Sequence, residues 1–402
     1  MTTIYDPLDP VHQADPYPAY AWLREHDPVH RHPAGPSSPE FWALSRFEDV
    51  WDAVRAPADF SSAQGLTFYR GEIEKLGLAP TIVMLDAPRQ TQLRSLIGRG
   101  FTPRRIADLE QTIRDFALGR LEVMRAKASA GEAVDLHRDF STKIPTFVLA
   151  ELLGVPESER ERFDPWVRAL TAAQNDGLDA TAEATGSAVV DMFAFFAGVV
   201  TQRRAEPSND LIGQLVAAEL DGDRLTDWDI LGFLFVLVAG GNDTTGALIS
   251  HTVALLHEHP DQRKLVLDDP SLIPAAIVEA LRLESSVQGL ARATTRDITI
   301  RDTTIPADRK VMMLYGSANR DEAEFGATAA AFDVRREAPR HLAFSSGPHF
   351  CIGNHLARLQ ATVAVTELLA AQPDVEVDLG RATRVLSSFT RGFDRLPAAG
   401  IS

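Results

Sequence analysis

The chain has 402 residues, a formal net charge of −16 and a single cysteine. That length supports a large core, the acidic balance argues against a nucleic-acid partner, and one thiol excludes an internal disulfide or a site built on several cysteines. The N-terminus is polar, and the longest apolar run, Ile230 to Gly241, spans twelve residues. A bilayer span needs about 20, so a soluble, cytoplasmic protein without a membrane anchor is expected.

In chain order, helical periodicity dominates. Tyr20 to Glu25 reads as a first helix, Phe41-Trp-Ala-Leu44 as a strand and Phe47 to Val54 as a helix. Ser61 to Val83 mixes Gly, Pro and charge without period and reads as a loop. A helix is expected from Pro88 to Phe101, then long helices through 104–205, interrupted near Gly154-Val-Pro156 and Asn175-Asp-Gly177. Thr226-Asp-Trp-Asp229 has the form of a capping box and opens the longest helix, from Asp227 to about His257. Short alternating stretches at Ile298–Ile300 and Val375–Val377 suggest strands. No linker or repeat divides the chain, so one domain over 1–402, mainly α with minor β, is expected.

Two stretches carry chemistry. The long helix contains Ala239-Gly240-Gly241-Asn242-Asp243-Thr244-Thr245. Two glycines inside a helix cost about 1 kcal/mol each relative to alanine. Thr244 lies four residues after Gly240, so its hydroxyl can bond back to that carbonyl and bend the helix. The second stretch is Phe344-Ser-Ser-Gly347-Pro-His349-Phe-Cys351-Ile-Gly353-Asn-His355-Leu356-Ala357-Arg358. Read alone, Cys351 is a small buried hydrophobe, a nucleophile or a thiolate ligand. A helix start just after it favours a thiolate through free N–H groups and the positive dipole end.

The cysteine stretch resembles the haem-binding loop of the cytochrome P450 family, matching Phe-x-x-Gly-x-His-x-Cys-x-Gly-x-x-Leu-Ala-Arg at every fixed position; Ser345 stands where Gly is frequent. The resemblance implies a haem between the long central helix and the cysteine-loop helix, with Cys351 as axial thiolate to the iron of haem b. Thiolate ligation favours cleavage of a bound O–O bond. Gly240, Gly353 and Phe344 would border the haem. Arg94, Arg292 and His349 match positions that hold its propionates, while Gln90 stands where a histidine is common. Gly240 to Thr244 resembles the family's Gly-Gly-x-(Asp/Glu)-Thr dioxygen motif, with Thr244 and Asp243 delivering protons. Glu279-Ala-Leu-Arg282 matches the family's Glu-x-x-Arg, joined by Arg336, in a structural role.

The resemblance further implies a monomeric monooxygenase that hydroxylates a lipophilic terpenoid, steroid, lipid or secondary metabolite. Electrons would come from a ferredoxin and its reductase, docking on the Arg-rich segments 89–105 and 335–358. No reductase domain is expected within the chain. Pocket positions would include Val236, Ala239, Gln288, Leu290 and Phe389, the Ser61–Val83 loop and the 170–195 region. The rival readings are a cysteine hydrolase using Cys351 with His349 or His355, and a haem-thiolate protein with a binding role or another oxidation such as epoxidation or dealkylation.

Overall fold

The computed structural model describes residues 5–35, 38–72, 74, 80–163, 165–167, 169, 182–220 and 222–401. The expected interruption at Asn175–Gly177 lies outside these residues. So do residues 73, 75–79 and 170–181 of the expected pocket wall.

The main sheet has five strands: β1 (Val29–His32), β2 (Phe41–Leu44), β3 (Phe60–Ser61), β4 (Leu290–Thr294) and β5 (Lys310–Met313). Their order is β1-β2-β5-β4-β3. β2 and β5 run parallel, with Trp42 opposite Val311, and are buried at every position. A parallel pair needs a crossover connection, and here the crossover contains most of the helices.

Five helices frame the interior: α1 (Glu110–Ser129), α2 (Asp227–Gly241), α3 (Asp243–Glu258), α4 (Ile273–Leu283) and α5 (Asn354–Ala371). α1 buries Ile113, Ala117, Leu121 and Met124, one face at helical spacing, and packs on α5. α3 packs against both α4 and α5. The first expected helix begins earlier, at Tyr17, and the 88–101 segment is an α-helix over Arg89–Gly98 closed by a 3-10 turn over Arg99–Phe101.

The long central helix differs from expectation. Its start is capped as the sequence indicates: Asp229 N–H donates to Thr226 Oγ1 at 3.1 Å, and Thr226 N–H donates to Asp229 Oδ2 at 3.0 Å. It then stops at Gly241, and α3 resumes at Asp243. The cause is local. After two glycines, Asn242 Nδ2 donates to the Val238 carbonyl at 3.0 Å and Thr244 Oγ1 to the Gly240 carbonyl at 2.7 Å. Side chains take carbonyls that backbone N–H groups would otherwise use. The halves also differ in surroundings. α3 is buried without interruption from Thr245 to Leu256. α2 buries Ile230, Phe233, Leu234 and Val238 on one face. Among the described residues, Asp227–Glu258 is the one helical stretch apolar and long enough to cross a membrane.

Candidate active site at the cysteine loop and the helix break

The cysteine loop is built by backbone geometry. Gly347 adopts φ +67° and Ser345 φ +58°. A Cβ on Gly347 would lie 3.0 Å from the Val54 carbonyl oxygen and 3.1 Å from Arg55 Cα, so the loop packs against backbone there. The left-handed Ser345 explains why glycine suits that position. Its hydroxyl accepts from Tyr315 Oη at 3.3 Å. Phe350 N–H donates to Gly347 O and Cys351 N–H to Phe344 O, each at 3.0 Å. Phe344 is half-buried, with the Arg358 guanidinium 5.4 Å over its ring.

Three residues of the Arg89–Gly98 region and β4 converge on this loop. Gln90 Nε2 donates to the Pro348 carbonyl at 2.8 Å, and Arg94 Nη2 to the Phe350 carbonyl at 2.6 Å. Gln90 therefore braces the loop backbone. Arg292, buried on β4 opposite Val311, bonds the Ala291 carbonyl through Nη1 at 2.8 Å. Among the described residues, no carboxylate pairs with Arg94 or Arg292. His349 Nε2 lies 3.1 Å from Ser62 Oγ. Burial, with Arg292 next, pushes the His349 imidazole down to about 4. Burial thus opposes the charge expected at His349.

Cys351 departs from expectation in the same way. Helix α5 starts at Asn354 with Gly353 as its cap, three residues on. Burial pushes the thiol up, and the Gly353 N–H and Arg94 only partly oppose it. Desolvation outweighs the helix end. No histidine nitrogen is hydrogen-bonded to Cys351 among the described residues, which removes the geometry a hydrolase needs.

At the helix break, a Cβ on Gly240 or Gly241 would meet nothing within 4 Å, so open space borders this turn. Val236 and Ala239 are half-buried on the same helix. Burial pushes the Asp243 carboxyl up to about 7. Next to it, Thr244 is partly accessible. Leu290 is half-buried at the start of β4, and Phe389 stacks on Phe68 at 5.2 Å. Gln288 keeps its Oε1 without a hydrogen-bond partner among the described residues. It is buried, donates to the Ser285 carbonyl at 2.6 Å, and its Oε1 occupies the space beside Gly316.

Two buried ion networks flank these elements. Glu279 and Arg282 are bidentate, at 2.7 and 2.8 Å, and Arg336 Nε donates to Glu279 Oε1 at 3.0 Å. The second network is not visible in any short motif. Glu284 receives Arg391 Nε at 2.7 Å and Arg320 Nη2 at 2.8 Å. Burial pushes the Glu284 carboxyl up, but Arg391, His251, Arg320 and Arg384 together hold it at about 2.

A haem fits what these residues present: one thiol on a braced loop, two cations lacking acids, and open space beside paired glycines. Fold and site together define a haem-thiolate protein. The sequence model described as Cytochrome P450 matches residues 40–371, and the chain belongs to that family. It is 48% identical over 383 residues to "Cytochrome P450 130" of Mycobacterium tuberculosis, covering 94% of this chain and 93% of that protein. It is 36% identical to "Vitamin D(3) 25-hydroxylase" of Pseudonocardia autotrophica, over 95% of this chain and 93% of the relative. The structure of cytochrome P450 CYP109Q5 from Chondromyces apiculatus superposes with a TM-score of 0.87 at 34% identity, over 98% of both chains. The chain is therefore a haem-dependent monooxygenase.

Proposed function

We propose that residues 1–402 form one monomeric, cytoplasmic haem domain that hydroxylates a lipophilic small molecule with electrons from a ferredoxin and its reductase. The observation that carries this reading is the pair Arg94, half-buried, and Arg292, buried, which pair with no carboxylate among the described residues and lie near the chain's only thiol. Cys351 would ligate the iron of haem b, with Phe344 and Gly353 framing its loop. Arg94 and Arg292 would bond the propionates through charge-assisted hydrogen bonds, and His349 would donate as a neutral ring. Haem, when bound, supplies the reduction of dioxygen and insertion of one of its atoms into substrate. Nearby charge in a metal site overrides burial and deprotonates a coordinating thiol.

The remaining roles belong to side chains of this chain. Gly240 leaves room for dioxygen. Thr244 holds its proton toward Gly240 O at rest and can turn it to dioxygen. Asp243, poised at about 7, exchanges protons in either direction near neutral pH. Glu279, Arg282 and Arg336 hold the fold around the site. Val236, Ala239, Leu290 and Phe389 offer apolar surface, which favours recognition by shape. The relative named for vitamin D(3) hydroxylation supports a lipid-sized substrate.

The test is the reduced, carbon monoxide-treated holoprotein. A red-shifted Soret band is expected, and Cys351→Ala should abolish it. Survival of that band in the variant would sink thiolate ligation by Cys351. Product formed from a lipophilic compound with a surrogate ferredoxin pair would establish turnover; a spin-state shift alone, without product, would count for a binding role.

A further inference from the structure

We propose that Ser62 is a positioning residue for His349, holding the imidazole in the cation cluster that faces the haem carboxylates. The proposal rests on the haem reading above. Sheet register carries the argument. β3 pairs with β4 so that Phe60 faces Thr294 and Ser61 faces Ala293. One residue further along the same register, Ser62 comes level with Arg292. Ser62 is 1% exposed, and its Oγ lies 3.1 Å from His349 Nε2, across 287 residues of chain.

The segment carrying Ser62 is held from both sides. On one side Asp86 accepts from Ser61 Oγ at 2.5 Å and from Ser62 N–H at 2.9 Å. On the other, buried Lys310 donates through Nζ to the Gln64 carbonyl at 2.7 Å and the Gly65 carbonyl at 3.2 Å. Ala291 N–H donates to the Leu66 carbonyl at 2.6 Å, one residue from Arg292. The hydroxyl that meets the ring thus sits on backbone that Asp86 and Lys310 hold from both sides. A serine hydroxyl on fixed backbone gives the imidazole a stationary partner, and a mobile loop would not. The reaction gains a preset histidine orientation that the cysteine loop, turning through Gly347, does not supply by itself.

The experiment measures haem transfer from the ferric holoprotein to excess apomyoglobin, alongside urea unfolding of each variant. Ser62→Ala should speed haem loss about two- to tenfold, the size of one net hydrogen bond, and Ser62→Thr should restore the wild-type rate. The double variant Ser62→Ala/His349→Ala should lose haem no faster than His349→Ala alone, because the two residues act as one unit. A wild-type rate for Ser62→Ala, or effects that multiply in the double variant, would overturn the proposal. If Ser62→Ala does not fold, Asp86→Asn loosens the same backbone from outside, and an unchanged transfer rate there would overturn it equally. Failure of the wild-type protein to take up haem overturns the haem reading itself, and it is distinguishable because it precedes any substitution.

Discussion

The two sets of buried and half-buried arginines follow opposite rules. Around Glu279, every N–H of Arg282 has an acceptor: the Glu279 carboxylate twice, and the carbonyls of Asn319, Ala329 and Ala331. Arg336 closes the set from the far side. Around the cysteine loop, Arg94 and Arg292 each bond one carbonyl and pair with no acid among the described residues. A buried charge is costly unless paired. The first cluster is complete within the fold; the second lacks acids among the described residues, and in the proposed function the haem carboxylates supply them.

This contrast is sharpest under mutation. Glu279→Ala strands two buried guanidinium groups, and breaking such a pair costs about 3–5 kcal/mol; urea unfolding should show the loss before haem is considered. Arg292→Leu should do the reverse. Its apoprotein is expected to be at least as stable as wild type, while haem binding weakens about ten- to a hundredfold, the worth of one charge-assisted bond. Apoprotein collapse in Arg292→Leu would erase the distinction between the clusters. Gly347→Ala probes the loop that presents the thiol to the second cluster. Its left-handed φ alone costs a non-glycine residue about 1–2 kcal/mol, and the Val54 carbonyl 3.0 Å away adds to it. Equal unfolding midpoints would show that the loop has slack.

The smallest effect is a slope. Asp243 has a folded pKa of about 7 against an ordinary 3.8. The folded state binds this proton more tightly, so the group's stabilisation is complete below about 3.8 and is lost as pH rises through about 7. The stability of wild type relative to Asp243→Asn should fall across that window. Parallel stability–pH curves would show that Asp243 is better hydrated than its burial implies.

Local signals were readable from the chain. The Thr226–Asp229 cap, the Thr244 bond to Gly240 and the Glu279–Arg282 pair all lie within four residues of sequence. Contacts across hundreds of residues were not: Ser62 with His349, Gln90 with Pro348, or Glu284 with Arg391. Spacing also misled at the central helix, where periodicity runs on through Asn242 but side-chain competition for carbonyls breaks it. At Cys351 two effects compete: the nearby helix start favours a thiolate, while depth of burial, which no short motif records, pushes the thiol up.

The break at Asn242 also separates two regimes of evolutionary tolerance along what reads as one helix. Beyond it, Thr245 to Leu256 are buried on all sides, so a methylene added or removed disturbs close packing. Before it, Val236 and Ala239 stand on a partly open face. Changes in side-chain volume on its open side meet space before they meet neighbours. If Val236 and Ala239 line the pocket as proposed, side-chain changes in the first half of the helix reshape what it accepts while the second half keeps the protein folded.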